Sequence, residues 1–389
     1  MEIAVKTIIY SNFLWYTSVI MSLSAILLFV LILLVLVIVH EFGHFIVAKA
    51  TGMRVDEFAF GFPPRIFGKK IGETLYAINS IPLGGYVSIF GENGTDEDKK
   101  EHGATNHPRA FGNRPWWAQL LVLVAGVTMN MVLALFIFIF ISYGDVKMSA
   151  DDQLFGHRVK DSVLVAVEVS KESPAYKAGI IPGSTLLKVL SAGDQAPLTT
   201  ATSLISFIAA HQNTPFTVTY LTPDGQEKVT TVAAVYGIIP NKKALGIAVD
   251  QIGVVKTSLI EAFSLGYERT ITITEMTLDG LATVLSSVFS GENVIDSLSG
   301  PVGIAKIVDQ TSDYGYVAIL TLVAVLSINL AIFNILPLPA LDGGRIVVVA
   351  FETLFRKKVP LKYYSWANVL GFGLLLLLLI VVTIKDISA

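Results

Sequence analysis

Cysteine is absent from the 389 residues of this chain. That excludes disulfides, thiolate metal sites and cysteine nucleophiles together, and with them palmitoyl and prenyl anchors. Charge is scarce: Asp, Glu, Lys and Arg make up 15% of the residues, against about a quarter in an ordinary soluble domain. The net charge of −3 gives no sign of a nucleic-acid partner. A secretory signal is not expected at the start, because the apolar run at 19–39 is too long for a signal core and no small-residue cleavage site follows it.

What the chain has in abundance is apolar sequence, 53% of residues with a mean hydropathy of +0.65. Four segments are long enough to span a bilayer, which needs about 20 residues at 1.5 Å each. They are expected at 18–48, 118–143, 317–336 and within 366–389, the last run ending near 384. Residues 1–17 form an N-terminal extension. The connections at 49–117 and 337–365 are rich in Lys and Arg, so they are placed in the cytoplasm, with both termini and the long segment between the second and third spans outside.

The first span contains Val39-His40-Glu41-Phe42-Gly43-His44-Phe45. Histidines four apart lie one above the other on a helix face, so His40 and His44 can reach one metal ion. Glu41 projects beside that ion, where it can take a proton from water. A glutamate and two imidazoles are costly in hydrocarbon, which favours function over a chance match. With no thiolate to hand, nitrogen and oxygen must hold the metal, and zinc on two histidines needs a third protein ligand plus one open position.

The end of the third span supplies the candidate in Asn334-Ile335-Leu336-Pro337-Leu338-Pro339-Ala340-Leu341-Asp342-Gly343-Gly344. Broken backbone at membrane depth is tolerated only where it is buried in protein or lines a cavity. Asp342 is the acid in that broken segment and the natural third ligand, with a helix N-cap or a partner of Arg345 as its plainer alternatives. Asn334 can hold the backbone of an extended substrate or polarise its carbonyl. In the second span, Gly126 and Asn130 are expected to serve as helix-packing glue.

Within 49–117, the run 74–90 carries β-rich stretches around Pro82 and Gly84-Gly85-Tyr86-Val87, which suits a hairpin or a kinked edge strand that dips into the membrane or lines the site. His102 and His107 are expected in a flexible surface loop. Residues 144–252 have soluble-domain character, with strands expected at 163–169, 186–190 and 216–221 and with His157 and His211 solvated. The piece Ser173-Pro174-Ala175-Tyr176-Lys177-Ala178-Gly179 reads as a short helix capped by Gly179, followed by a Pro182-Gly183 turn. That arrangement resembles a bacterial, circularly permuted PDZ domain. Residues 253–316 suggest one or two amphipathic helices on the outer membrane surface, then a sharp turn at Ser299-Gly300-Pro301-Val302-Gly303-Ile304.

Taken together, these motifs resemble the site-2 protease family of intramembrane zinc metalloproteases, and among them the bacterial regulator-of-sigma-E proteases that cleave anti-sigma factors. The resemblance rests on His40-Glu41-x-x-His44, Gly84-Gly85-Tyr86-Val87, Gly126-x-x-x-Asn130, Gly300-Pro301-x-Gly303-Ile304 and Asn334-x-x-Pro337-x-Pro339-x-Leu341-Asp342-Gly343. It implies a polytopic α-helical membrane protein of about four transmembrane helices, with a membrane-associated β-hairpin and one extracytoplasmic PDZ-like domain. It implies a zinc metalloendopeptidase of the bacterial cytoplasmic membrane, its active site near the cytoplasmic side. His40, His44 and Asp342 would hold Zn2+, Glu41 would be the catalytic base, and Asn334 and the Gly84-Gly85-Tyr86-Val87 loop would contact substrate, with Pro337 and Pro339 in the broken segment beside them. The substrate would be a single-pass membrane protein, already trimmed, cut within the bilayer in regulated intramembrane proteolysis. The chain departs from the family at Val127, often proline, and at Ser184, usually aspartate, and has room for one PDZ-like domain where some members carry two. A silent scaffold is disfavoured by the intact metal motif, and an ion transporter by the few polar residues in the spans and the lack of a paired repeat.

Overall fold

A computed structural model describes residues 23–92, 107–149, 160–239, 242–291, 298–312 and 314–388. The N-terminal extension 1–17, His102 and His157 lie outside the described residues. The chain forms two compact units, one of Met1–Phe138 with Gly266–Ala389 and one of Ile139–Leu265.

In the first unit, α1 (Leu23–Ala50) leads into the long strands β1 (Val55–Ile71) and β2 (Thr74–Ile89), and α2 (Trp116–Ile141) follows. The hairpin turns at Gly72-Glu73, with Gly72 at φ +63°, so the Gly84-Gly85 pair does not turn a hairpin. That pair instead lies in the kinked strand that was the other expectation. Both strands bend and are used twice. Phe58 pairs with Val87 on one side and Tyr76 on the other, while Tyr76 also pairs with Lys69. The result is a small four-stranded ribbon in the order 85–89, 55–60, 75–79, 65–71, with Gly85-Tyr86-Val87 along its outer edge.

The second unit is a seven-stranded antiparallel sheet. Its strands are β3 (Gly144–Ser149), β4 (Lys160–Val169), β5 (Thr185–Ser191), β6 (Asp194–Gln195), β7 (Phe216–Leu221), β8 (Glu227–Val232) and, after the separate β9 (Val235–Ile239) and β10 (Lys242–Ala244) pair, β11 (Ile247–Thr257). The order is β3-β11-β4-β5-β7-β8, with β6 on β5. Two helices accompany it, α3 (Pro174–Lys177) and α4 (Ala201–Ala210). Alternation along β7 buries Phe216, Val218 and Tyr220 against Leu164, Val189 and Leu204. Ser173 caps α3 by accepting from the Tyr176 N–H at 3.1 Å, the cap at the other end is Ala178, and Gly179 follows it at φ +84° rather than being the cap itself. Ser184 completes the Pro182-Gly183 turn, its Oγ accepting from Ile181 N–H at 3.3 Å. His211 is not simply solvated: it caps α4, with Nε2 3.2 Å from Asp194 and its ring against Phe207.

A single continuous helix, α5 (Leu259–Phe289), occupies the stretch read as one or two. Then come α6 (Pro301–Ser312), α7 (Tyr316–Ile335), α8 (Asp342–Phe355) and α9 (Leu361–Ser388). Helix α8 was not expected, since 337–365 was read as a motif and a loop. Its Gly343-Gly344 start hides it, yet these glycines let its first turn pack on the carbonyls of Ile335, Leu336 and Leu338 at the end of α7. Four helices, α1, α2, α7 and most of α9, are long and apolar enough to cross a membrane. The leucines of α9 are largely exposed, Leu374 at 66% and Leu377 at 58%, as a lipid-facing helix requires.

Two contacts fix this bundle. Gly43 on α1 meets the Ala125 carbonyl on α2, so the backbones approach as closely as side chains of any size would forbid. The buried Asp386 near the end of α9 accepts the N–H groups of Gly300 and Gly303, each at 2.8 Å, at the start of α6. A carboxylate at a helix N-terminus satisfies orphan donors and complements the dipole, and this gives the Gly300-Pro301-x-Gly303 motif its partner. Lys385 donates to Leu298 O at 2.9 Å and Lys306 to Asp386 O at 2.7 Å, closing the same joint.

Candidate metal centre

His40 and His44 stand a turn apart on α1, 7% and 8% exposed. Their facing Nε2 atoms are 3.1 Å apart. Asp342, the first residue of α8 after Leu341 as N-cap, brings Oδ2 to 3.1 Å from His40 Nε2 and 3.2 Å from His44 Nε2. Asp342 is therefore not the helix N-cap, and Arg345 pairs with Glu92. His44 Nδ1 donates to the Val122 carbonyl on α2 at 2.8 Å, so in the neutral ring Nε2 carries the lone pair. That lone pair and the carboxylate oxygen face each other, and Oδ2 has no other partner among the described residues.

With both rings neutral, these three atoms turn lone pairs toward one point, where a cation fits. Ligands at about 2.0–2.1 Å in a tetrahedron stand about 3.3 Å apart, close to the triangle present. Two imidazoles and one carboxylate, with no thiolate, fit zinc with a fourth position left open.

Glu41 lines, together with His40, His44 and Asp342, a cavity of about 480 Å3. Tyr86 and Val87 on β2, Arg345 on α8, and Asn368 and Phe372 on α9 also line it. The ribbon edge thus borders the cavity opposite α9. Gly85 lies against Val37 and Glu41 of α1, and a Cβ there would come within 3.3 Å of Val37 and 2.9 Å of Ala59 O. Gly84 lies under the Phe62 ring instead. Asn334 brings its amide nitrogen to 3.5 Å from His40 Nε2. Pro337 and Pro339 lie in the break between α7 and α8 and do not line the cavity.

That break is braced from α9. Asn368 Oδ1 accepts the Ala340 N–H at 3.1 Å, and Gly371 meets Pro339 so closely that a Cβ would come within 2.7 Å of it. Ala340 itself is left-handed at φ +74°.

Several residues here escaped the sequence reading. Asn130, taken as packing glue, is wholly buried with its amide 3.4 Å from His40 Nδ1. Gly126 also does more than pack: any Cβ there would strike the rings of both His44 and His40. Glu92 pairs with Arg345, and Arg345 Nε donates to Tyr364 OH at 2.7 Å, joining the ribbon, α8 and α9 around the cavity. Burial works against the Arg345 charge, but Glu92 and Tyr364 outweigh it and hold the guanidinium above its usual range. His107 is likewise tied down rather than loose, accepting the Arg109 N–H at 3.1 Å and stacking edge-on with Phe90.

Comparison with known proteins agrees with this centre. The chain is 34% identical to a proposed zinc metalloprotease of Clostridium perfringens, over 90% of this chain and 95% of that one. It is 29% identical to the zinc metalloprotease RasP of Oceanobacillus iheyensis, over 94% and 99%, and 28% identical to RasP of Geobacillus kaustophilus, over 94% and 98%. The model of peptidase family M50 matches residues 28–378. By the span of that match and the level of these identities, the chain belongs to peptidase family M50.

Proposed function

We propose that this chain is an intramembrane zinc metalloprotease that hydrolyses a peptide bond within the transmembrane segment of an already trimmed single-pass membrane protein, such as an anti-sigma factor or a remnant signal peptide. The observation that carries the reading is the convergence of His40, His44 and Asp342, with Glu41 beside them, on a helix apolar enough to lie in a bilayer. The names of the M50 relatives support both the metal and the reaction.

Zinc, when bound, supplies the Lewis acid that polarises the scissile carbonyl and acidifies a water. Glu41 takes the proton of that water and passes it to the leaving amine. Asn334, next to His40, is placed to hold the substrate backbone or its carbonyl. A transmembrane helix hides its carbonyls in its own hydrogen bonds, so the substrate must unwind locally. The edge formed by Gly85, Tyr86 and Val87 offers it a strand to pair with, and Ala340 and Leu341, which follow the Pro337–Pro339 break, line the same cavity. In this reading residues 49–117 and 337–365 face the cytoplasm, the ribbon is membrane-associated, and both termini lie outside. The seven-stranded unit, a PDZ-like domain in the extracytoplasmic space, excludes substrates with bulky ectodomains.

The test compares the native protein with Glu41→Gln on a single-pass substrate whose ectodomain has been removed, with zinc measured on both. Cleavage lost by 10³-fold or more with zinc retained is the expected result for loss of the general base. Zinc present without cleavage of any trimmed substrate by the native protein would replace this reading with that of a scaffold.

A further inference from the structure

Three positions of α2, spaced one turn apart, face the two histidines of α1. Val122 O receives the Nδ1 proton of His44, Gly126 leaves room for both rings, and Asn130 has its amide end assigned as Nδ2 3.4 Å from His40 Nδ1. The two helices therefore match turn for turn, with one hydrogen-bonding group for each imidazole. His44 is served by a main-chain carbonyl, which can only accept.

For His40 the partner is an amide, whose two ends are told apart by their hydrogen bonds. If the amide nitrogen donated to Nδ1, the ring proton would sit on Nε2, the atom that faces His44 and Asp342. Both imidazoles could not then offer a lone pair to one cation. If the amide oxygen accepts from Nδ1–H, Nε2 is free to ligate. Asn130 is 0% exposed and its Oδ1 has no other partner among the described residues, so nothing else dictates which end faces the ring. Ser327 on α7 donates to the Asn130 main-chain carbonyl at 2.8 Å and anchors that turn of α2.

We infer that Asn130 is a positioning residue for the metal centre: its amide oxygen accepts the Nδ1 proton of His40 and fixes the tautomer whose Nε2 binds zinc. The inference rests on the zinc reading above. It gives the Gly126-x-x-x-Asn130 motif one purpose, space for the rings at one position and orientation of a ring at the next. Partners of this kind on metal-bound histidines typically change metal affinity by 10–100-fold when removed.

The experiment measures zinc affinity by chelator competition on the full chain in detergent, for the native protein, Asn130→Leu and Asn130→Asp, with thermal unfolding as a check on folding. Leucine keeps the volume without an acceptor, and aspartate keeps the acceptor. The expected order is native and Asn130→Asp within about threefold of each other, with Asn130→Leu 10–100-fold weaker. A residue that only packs would give the reverse order, because a buried carboxylate is harder to accommodate than leucine. Native affinity in a folded Asn130→Leu, or an Asn130→Asp weaker by more than tenfold, overturns the inference. If Asn130→Leu does not fold, the aspartate result alone decides. A native protein without zinc would instead overturn the reading beneath it.

Discussion

His44 donates its Nδ1 proton to the carbonyl oxygen of Val122, 2.8 Å away on the neighbouring helix. This bond turns the packing of α1 on α2 into part of the metal chemistry, because any change in their spacing moves a ligand. Gly126 sets that spacing. Replacing Gly126 with alanine puts a methyl group into both imidazoles, and the expected outcome is at least a tenfold loss of zinc affinity with a stability cost of about 1–3 kcal/mol. Zinc content and thermal midpoint of the purified variant check this, and native zinc binding would show that the helices can separate without consequence.

Glu73, in the turn of the ribbon, accepts two bonds from Arg109, at 2.7 and 2.8 Å, and one from Lys49 at 2.7 Å. Arg109 first, then Lys49, hold its carboxyl at about 2 against the usual 4.5. A carboxyl lowered on folding stabilises the native state above its unfolded value, and loses that contribution as the pH falls from about 4.5 to about 2. The side chain is about a third exposed, so solvent screening limits the effect to about 1 kcal/mol. The thermal midpoint of Glu73→Gln should lie below that of the native protein at pH 6, and the gap should close as the pH approaches 2. A gap independent of pH would assign the difference to packing.

Ala340 holds a left-handed backbone at φ +74° two residues before Asp342. An L side chain there costs about 1–2 kcal/mol, partly offset by the entropy that a glycine would lose on folding. Ala340→Gly is therefore expected to raise stability by about 0.5 kcal/mol, read as a small rise in thermal midpoint. A fall would mean that the methyl group packs against something worth more than the strain.

The joint between Asp386 and α6 predicts a graded loss. Asp386→Ala removes an acceptor shared by two N–H groups and should cost about 3 kcal/mol, whereas Asp386→Asn keeps one oxygen and should cost roughly half. Thermal inactivation rates in detergent and proteolysis within 298–312 measure both. Equal behaviour of the two variants would show that the joint is held by Lys306 and Lys385 instead.

Much of the centre could be read from the chain because its signals were local or forbidden. Two histidines at helical spacing need only one helix to meet, and an acid in broken backbone between two spans has few other reasons to be there. Asn130 was read as packing glue because one polar residue four after a glycine is what helix packing looks like. Only the ring of His40, 90 positions away in sequence, separates the two roles. The pairing of Glu92 with Arg345 was missed for a like reason, the two being 253 residues apart. The ribbon was half legible: its strands were visible in Val, Ile and Tyr content, but not that each would bend and pair on both sides, because that depends on register.

His40 and Asp342 are 302 residues apart, counting 342 − 40. At about 5–20 residues per second, synthesis places roughly 15–60 s between them. The bracing residues Asn368 and Gly371 follow later still. For that interval the nascent chain carries two of the three ligands and the glutamate beside them, without the third. The order of residues along the chain thus leaves the metal centre unformed until Asp342 has been made.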